Sequence, residues 1–126
     1  MSAQPLITID GPSGAGKGTV CQLVAEALDW QLLDSGALYR LVALAAQRAG
    51  IDGGDVTALA SVATGLEVEF IPRPGLEPLV LMAAEDVSLA IRREEISAMA
   101  SQVAAHNPVR AALLARQQAF GQGRGL

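Results

Sequence analysis

Near its start the chain carries Leu6-Ile7-Thr8-Ile9-Asp10-Gly11-Pro12-Ser13-Gly14-Ala15-Gly16-Lys17-Gly18-Thr19, the stretch that decides its fold. Residues 5–10 predict a short buried strand, and residues 16–29 predict a helix. The glycines between them leave backbone N–H groups open to converge on an anion. The start of the helix adds free amides and the positive end of its dipole. A strand, a glycine loop and a helix in this order are typical of a phosphate-binding loop (P-loop).

The loop contains the only lysine of the chain, Lys17. Its flexible ammonium can reach the β and γ phosphates of a nucleotide. The usual signature ends in Gly-Lys-Ser/Thr, whereas Gly18 occupies the hydroxyl position here. The hydroxyls of Thr19 and Ser13 are therefore the candidates for contact with the phosphates or Mg²⁺, and Thr19 is our candidate metal ligand. The alternative is a plain glycine turn, which the flanking strand and helix disfavour.

Length and composition indicate one globular domain or a piece of one. The chain has 126 residues, of which 51% are hydrophobic and 17% are charged, and this balance argues against disorder. Its net charge of −4 speaks weakly against a broad surface for nucleic acid or anionic membrane, so we expect neither partner.

A single cysteine, Cys21, excludes an intrachain disulfide, and the default interpretation is a small buried hydrophobic residue in the first helix.

Targeting signals are not evident. The first nine residues lack the basic start and the apolar run of a signal peptide. No stretch of about 18 apolar residues predicts a membrane span. We therefore expect a cytoplasmic protein, and we expect it to be a monomer.

The rest of the chain predicts an α/β fold of the P-loop type, with a parallel sheet, flanking helices and an inserted small antiparallel hairpin. The first helix should place its apolar residues on one side, namely Leu23, Val24, Ala27 and Leu28. The further predicted elements are a strand at 31–33, a helix over 36–49 capped by Asp34 or Ser35, a short helix over 55–64, hairpin strands at 66–71 and 78–82 around a turn at 72–75, helices over about 89–105, and a helix over 108–119 capped by Asn107. Only two parallel strands are counted, so the sheet is expected to be incomplete in this chain.

Two further groups of residues suggest ligand binding. Ser35 and Tyr39 are four residues apart at the start of a helix, and the planar fork of Arg40 suits a second phosphate. A capped helix with a solvated arginine is an equally good interpretation of that group. Arg110 lies in the first turn of a helix, where a cation opposes the dipole, and this mismatch points to a ligand or a buried partner.

Other polar residues have simpler interpretations. His106 is expected to be a loop histidine and not a catalytic one. Arg92 and Arg93 with Glu94 and Glu95 are expected to form a solvated helix face.

Together these motifs resemble the bacterial cytidylate kinase family along nearly the whole chain. The glycine loop alone is shared by many nucleoside monophosphate kinases, whereas the later motifs are more specific. The matching segments are residues 7–19, 33–40, 85–88, 91–92, 100–104, 109–110 and 116–118.

The resemblance implies transfer of the γ-phosphoryl group of ATP to CMP or dCMP, with Mg²⁺. It implies that residues 11–19 hold the ATP phosphates, with Lys17 and Arg40 in the catalytic site. It also implies that Arg40 contacts the CMP phosphate, and that Ser35, Ser101 and Arg110 help to recognise the cytosine. The implied division is a P-loop core over 1–62, a CMP-binding insert over 63–103 and a return helix with the end of the core over 104–126.

The chain also departs from the family pattern. The family continues with a Gly-Arg-Asp segment, a further strand and an arginine-bearing lid, so the chain resembles the amino-terminal half of such a kinase. We expect it to bind nucleotide but to be impaired in catalysis. The alternatives are another P-loop small-molecule or nucleoside monophosphate kinase, and a non-catalytic nucleotide-binding fragment. A regulatory GTPase is disfavoured, because the only asparagine, Asn107, precedes Pro108 and not the expected Lys-x-Asp.

Overall fold

The structure, a computed structural model, describes residue 7 and residues 17–28, 33–73 and 76–119. Within these ranges the structure contains five α-helices and a small three-stranded antiparallel sheet. The elements are α1 Lys17–Leu28, α2 Ser35–Ala49, α3 Val56–Thr64, β1 Val68–Arg73, β2 Leu76–Met82, β3 Glu85–Asp86, a 3₁₀ turn at Ala90–Arg92, α4 Glu94–Ala104 and α5 Asn107–Ala119. The predicted helices are thus confirmed to within about two residues at each end.

Helix α2 is the central element of the described core, and its two ends follow from the sequence. Asp34 is the N-cap, and its carboxylate accepts a hydrogen bond of 3.1 Å from the backbone N–H of Ala37. Gly50 ends the helix in the left-handed region, at φ 71°, where a side chain would be strained. Of the two predicted caps, the structure therefore selects Asp34, and Ser35 becomes the first residue of the helix.

The core is built from apolar side chains of α2, α3, the sheet, the 3₁₀ turn, α4 and α5. Helix α2 packs against α3 and α4, and α3 packs against α5. The largest fully buried side chains are Leu38, Leu41, Val42, Leu44, Leu59, Val87, Ile96, Val103, Val109 and Leu113. Truncating one such leucine to alanine typically costs about 2–5 kcal/mol of folding free energy, so this cluster fixes how the helices sit against each other.

The sheet has the order β1-β2-β3, with antiparallel pairing throughout. The predicted hairpin is confirmed, but its predicted ends are wrong. Arg73 pairs with Leu76, and the register shifts between Ile71 and Arg73, so Pro72 lies inside β1 at an irregularity. Proline is tolerated at such a position because no ladder hydrogen bond is required of its nitrogen. The hairpin therefore continues closer to its turn than the sequence suggested.

The short strand β3 was missed by the sequence analysis. It is joined to β2 by Ala83 and Ala84, which adopt positive φ values of 50° and 67°. Alanine carries no sequence signal for that backbone conformation, which glycine and asparagine adopt far more readily. The sequence therefore predicts only that residues 85–88 lead into the next helix.

The start of α5 differs from the prediction by one residue. The backbone N–H of Arg110 donates to the carbonyl of His106 at 3.1 Å, so the helix already includes Asn107. Asn107 as the N-cap is therefore wrong. Pro108 still lies among the first residues of the helix, where its missing N–H removes no helical bond.

The predicted parallel strands at 5–10 and 31–33 lie outside the described residues, apart from Ile7 and Leu33, which are not in a strand. The described part of the chain is a mixed α/β arrangement with an antiparallel sheet. No helix within it is long and apolar enough to cross a membrane.

Candidate functional site

The start of α1 is the described part of the predicted donor loop. The helix begins at Lys17, so the backbones of Lys17, Gly18 and Thr19 form its first turn. The first amides of a helix have no partner inside it, and they are therefore available to an anion. Residues 11–16 lie outside the described residues, as do the side chains of Lys17 and Thr19. The phosphate and metal contacts assigned to this loop remain predictions.

On α2 the structure places Ser35 and Arg40 at different depths. Ser35 is exposed at the start of the helix, beside the Asp34 cap, and Arg40 is half-buried one turn further along. Among the described residues, the guanidinium of Arg40 has neither a hydrogen bond nor an ion pair. A half-buried cation without a partner suits an external anion, since burial of an uncompensated charge is costly.

Ser101 and Arg110 are exposed on neighbouring helices. The hydroxyl of Ser101, on α4, donates to the carbonyl of Ser97 at 3.3 Å, which leaves its oxygen able to accept. Arg110 lies in the first turn of α5, and its side chain has no partner among the described residues. Among the described residues there is thus no buried partner for this cation, and the assignment of Arg110 to a ligand stays a prediction.

The elements carrying these side chains are neighbours. Helix α4, which bears Ser101, packs against α2, which bears Arg40, and also contacts α5, which bears Arg110. No hydrogen bond joins Ser35, Arg40, Ser101 and Arg110 to one another in the described structure. If these four side chains form one site, a ligand would have to bridge them.

The sequence analysis missed Gln22, one of two buried polar residues among those described. It also misplaced the buried face of α1. Leu23 and Leu28 are 59% and 44% exposed, whereas Gln22 and Ala25 are buried. The side-chain amide of Gln22 bonds the backbone of the β1–β2 hairpin, at Arg73 and Leu76. No pattern in the sequence marks a glutamine that bonds to residues so distant along the chain.

Ser88 is the other buried polar residue described, and it links the segment before the 3₁₀ turn to β2 of the sheet. Its hydroxyl oxygen accepts a hydrogen bond of 2.8 Å from the backbone N–H of Val80. Its own backbone N–H donates to a carboxylate oxygen of Asp86 at 3.0 Å. This backbone bond lowers the pKa of Asp86 below its ordinary value, and a bond to the Ser88 side chain and the charge of Arg73 add to the effect.

Several other polar residues have structural roles. The His106 ring nitrogen Nε2 lies 2.8 Å from the carbonyl oxygen of Gly53, and since a carbonyl only accepts, Nε2 carries the proton. The expectation of a loop histidine is confirmed. Arg93 and Glu95 form an exposed ion pair of 3.6 Å, as expected of a solvated face. Cys21 is in no disulfide and is half-buried, which is less buried than predicted.

A metal site made of protein side chains alone is not found in the described ranges. No group of three or more His, Cys, Asp or Glu side chains within them is placed to hold a metal ion.

Comparison with known proteins decides the family. The family model described as cytidylate kinase matches residues 7–126. The chain belongs to the cytidylate kinase family. The resemblance found in the motifs is thereby confirmed over residues 7–126.

Individual members of the family are similar along the chain but longer. The cytidylate kinase of Saccharophagus degradans (strain 2-40) is 54% identical over 121 residues, which are 96% of this chain and 54% of that protein. The cytidylate kinase of Enterobacter sp. (strain 638) is 55% identical over 126 residues, or 99% of this chain and 55% of that protein. That of Vibrio cholerae is 53% identical over 125 residues. The chain spans about half the length of the curated relatives it matches.

Proposed function

We propose that the protein to which this chain belongs transfers the γ-phosphoryl group of ATP to CMP or dCMP, giving CDP or dCDP. The observation that carries the proposal is Arg40, a half-buried cation without a partner in the described part of a cytidylate kinase family chain. The proposed ligands are ATP and CMP or dCMP, bound by a monomeric cytoplasmic protein.

The donor would be bound by residues 11–19. The backbone amides at the start of α1 would bind the phosphates, and Lys17 is the first residue of that helix, directly after the glycine loop. Mg²⁺ bound to ATP would neutralise charge on the β and γ phosphates. The ion is usually held by phosphate oxygens, waters and few protein ligands, and the hydroxyl of Thr19 fits the role of a single ligand.

The acceptor would lie against α2, α4 and α5. The guanidinium of Arg40 would pair with two oxygens of the CMP phosphate. Ser35, Ser101 and Arg110 would contribute polar contacts to the cytosine side of the ligand. In this proposal residues 1–62 form the P-loop core, residues 63–103 form the CMP-binding insert, and residues 104–126 return to the core.

Phosphoryl transfer requires that the two substrates are aligned and that their negative charge is stabilised, and it requires little covalent chemistry from the protein. The attacking atom is an oxygen of the CMP phosphate, so no side chain has to remove a proton from a hydroxyl group. Lys17 would stabilise the donor phosphates, and Arg40 would hold the acceptor phosphate in line with them. Both side chains would thus offset the repulsion between two anionic substrates.

The test is formation of CDP from ATP and CMP by the protein expressed from the whole reading frame. We expect Lys17→Ala to lower kcat by about a hundredfold or more, since a charge aimed at the transferring group is lost. Arg48→Ala is the matched control, because Arg48 is exposed and paired with Glu85 at 2.9 Å. Unchanged turnover in Lys17→Ala would refute the role assigned to the lysine.

The 126-residue chain is tested in the same assay beside the protein expressed from the whole reading frame. We predict that the 126-residue chain binds CMP and ATP but forms CDP slowly. Saturable CMP phosphorylation by the 126-residue chain at the rate typical of a nucleotide kinase, about 1–100 per second, would refute the predicted impairment. Binding of neither nucleotide would refute the proposed sites in this chain.

A further inference from the structure

Gln22 joins two parts of the chain that lie far apart in sequence. It is 5% exposed, in the second turn of α1. Its side-chain NH₂ group donates to the carbonyl oxygens of Arg73 at 2.6 Å and of Leu76 at 2.7 Å. Its side-chain oxygen accepts from the backbone N–H of Arg73 at 2.9 Å. One amide therefore binds both strands of the β1–β2 hairpin beside their turn.

The chemistry of this contact requires an amide. It supplies two donors to two carbonyl oxygens and one acceptor to an N–H group, so each polar group is paired. A carboxylate at the same position would face two carbonyl oxygens with no proton to give. A leucine would match the size of the side chain but leave three backbone groups without this partner.

Gln22 connects the helix of the proposed donor site to the hairpin of the proposed acceptor site. It lies five residues beyond Lys17, on the helix that begins at the donor loop. The hairpin that it binds continues through β2 to β3, where Val80 is bonded to Val87 and Ser88. From there the chain enters the 3₁₀ turn and α4, which carries Ser101. The amide thus fixes the sheet of the proposed acceptor insert on the helix of the proposed donor loop.

We infer that Gln22 is a positioning residue for the acceptor site: it holds the β1–β2 hairpin on α1 so that the donor and acceptor regions keep one relative position. The inference rests on the proposed function for the identity of the two substrates. Loss of the amide frees the hairpin from α1 and displaces the acceptor region, while the donor loop itself is unaltered. The expected signature is weakened CMP binding with unchanged ATP binding.

The experiment measures two properties of the 126-residue chain for wild type, Gln22→Leu and Gln22→Glu. Hydrogen exchange of the Arg73 amide reports the tether directly, and calorimetry reports the dissociation constants of CMP and of a non-hydrolysable ATP analogue. We expect exchange at Arg73 to become about tenfold faster and CMP binding about tenfold weaker in both variants. Affinity for the ATP analogue should stay within about twofold. Gln47→Leu, the same change on the exposed face of α2, should alter none of these values.

The two readouts separate the possible failures. Unchanged exchange at Arg73 would overturn the tether itself. Faster exchange with unchanged CMP affinity would reduce Gln22 to a structural contact and overturn the positioning role. If the wild-type chain binds no CMP, the proposed acceptor site in this chain fails and the positioning role fails with it, whatever the exchange at Arg73, whereas the proposed function is tested separately by CDP formation with the protein expressed from the whole reading frame. Equal weakening of CMP and ATP binding would indicate general loosening and would also overturn the inference.

Discussion

Arg40 has surroundings that differ from those of an ordinary surface arginine. It is half-buried and unpaired within the described structure, whereas Arg48 on the same helix is exposed and makes two bonds to Glu85. We predict that Arg40→Met weakens CMP binding about ten- to a hundredfold, the range expected for lost charge-assisted hydrogen bonds. It should not lower stability in urea unfolding, because Arg40 has no bond to lose among the described residues and burial of its unpaired charge is unfavourable. Arg48→Met is the control, and a comparable loss of CMP affinity in that variant would contradict the assignment.

Ser88 and Ser101 are two serines with opposite expected effects. Ser88→Ala leaves the backbone N–H of Val80 without its buried acceptor, so the free energy of unfolding should fall by about 1–3 kcal/mol. Ser101 is exposed and donates only to its own helix, so Ser101→Ala should change stability little but weaken CMP binding. Denaturant unfolding and calorimetry on both variants test the pair. Equal stability of Ser88→Ala and wild type would mean that water replaces the hydroxyl.

The lowered pKa of Asp86 predicts that the free energy of unfolding depends on pH. Its pKa is lowered in the folded state, chiefly by the backbone N–H of Ser88, so the folded protein favours the ionised carboxylate. The contribution of Asp86 is therefore fully present above about pH 4 and is lost as pH falls through its lowered folded pKa. We expect the stability difference between wild type and Asp86→Asn to shrink below that pH in urea titrations. A difference that is constant from pH 7 to pH 2.5 would exclude the linkage.

At the scale of the elements, the β2–β3 turn carries backbone strain that a substitution can relieve. Ala83 and Ala84 both have positive φ values, which cost about 1 kcal/mol or more for a residue with a Cβ atom. We predict that Ala84→Gly raises the free energy of unfolding by about 1 kcal/mol, as measured by urea denaturation. Ala105, exposed at φ −76°, is the matched site, and Ala105→Gly should instead lower stability. A loss of stability in Ala84→Gly would contradict the strain argument.

The helices were predictable because their signals are local. The Asp34 cap, the apolar spacing of Leu38 and Leu41, and Gly50 at the end all lie within α2. The hairpin was predictable from alternating residues, but its ends were not, because pairing of Arg73 with Leu76 depends on partner strands and not on composition. The candidate site residues came from the glycine loop and the family resemblance. Gln22 could not be found in this way, because its partners lie 51 and 54 residues away.

At the scale of the whole molecule, α2 is the element that connects the parts of the described hydrophobic core. Its buried side chains belong to one cluster with residues of α3, of the sheet and of α4 and α5. Arg40 is therefore carried by the most buried helix, while Ser101 and Arg110 lie exposed on the helices around it. Such an arrangement can hold a phosphate group at a rigid site and leave the rest of a ligand to the surrounding helices.

The central claim is that the acceptor is a cytidine nucleotide. The most direct measurement is kcat/KM for CMP, dCMP, UMP and AMP, followed by ADP release, with the protein expressed from the whole reading frame. We predict that CMP and dCMP exceed UMP and AMP by about a hundredfold or more, since polar contacts to the base discriminate strongly. A preference for AMP or UMP, or no phosphorylation of CMP, would contradict the claim.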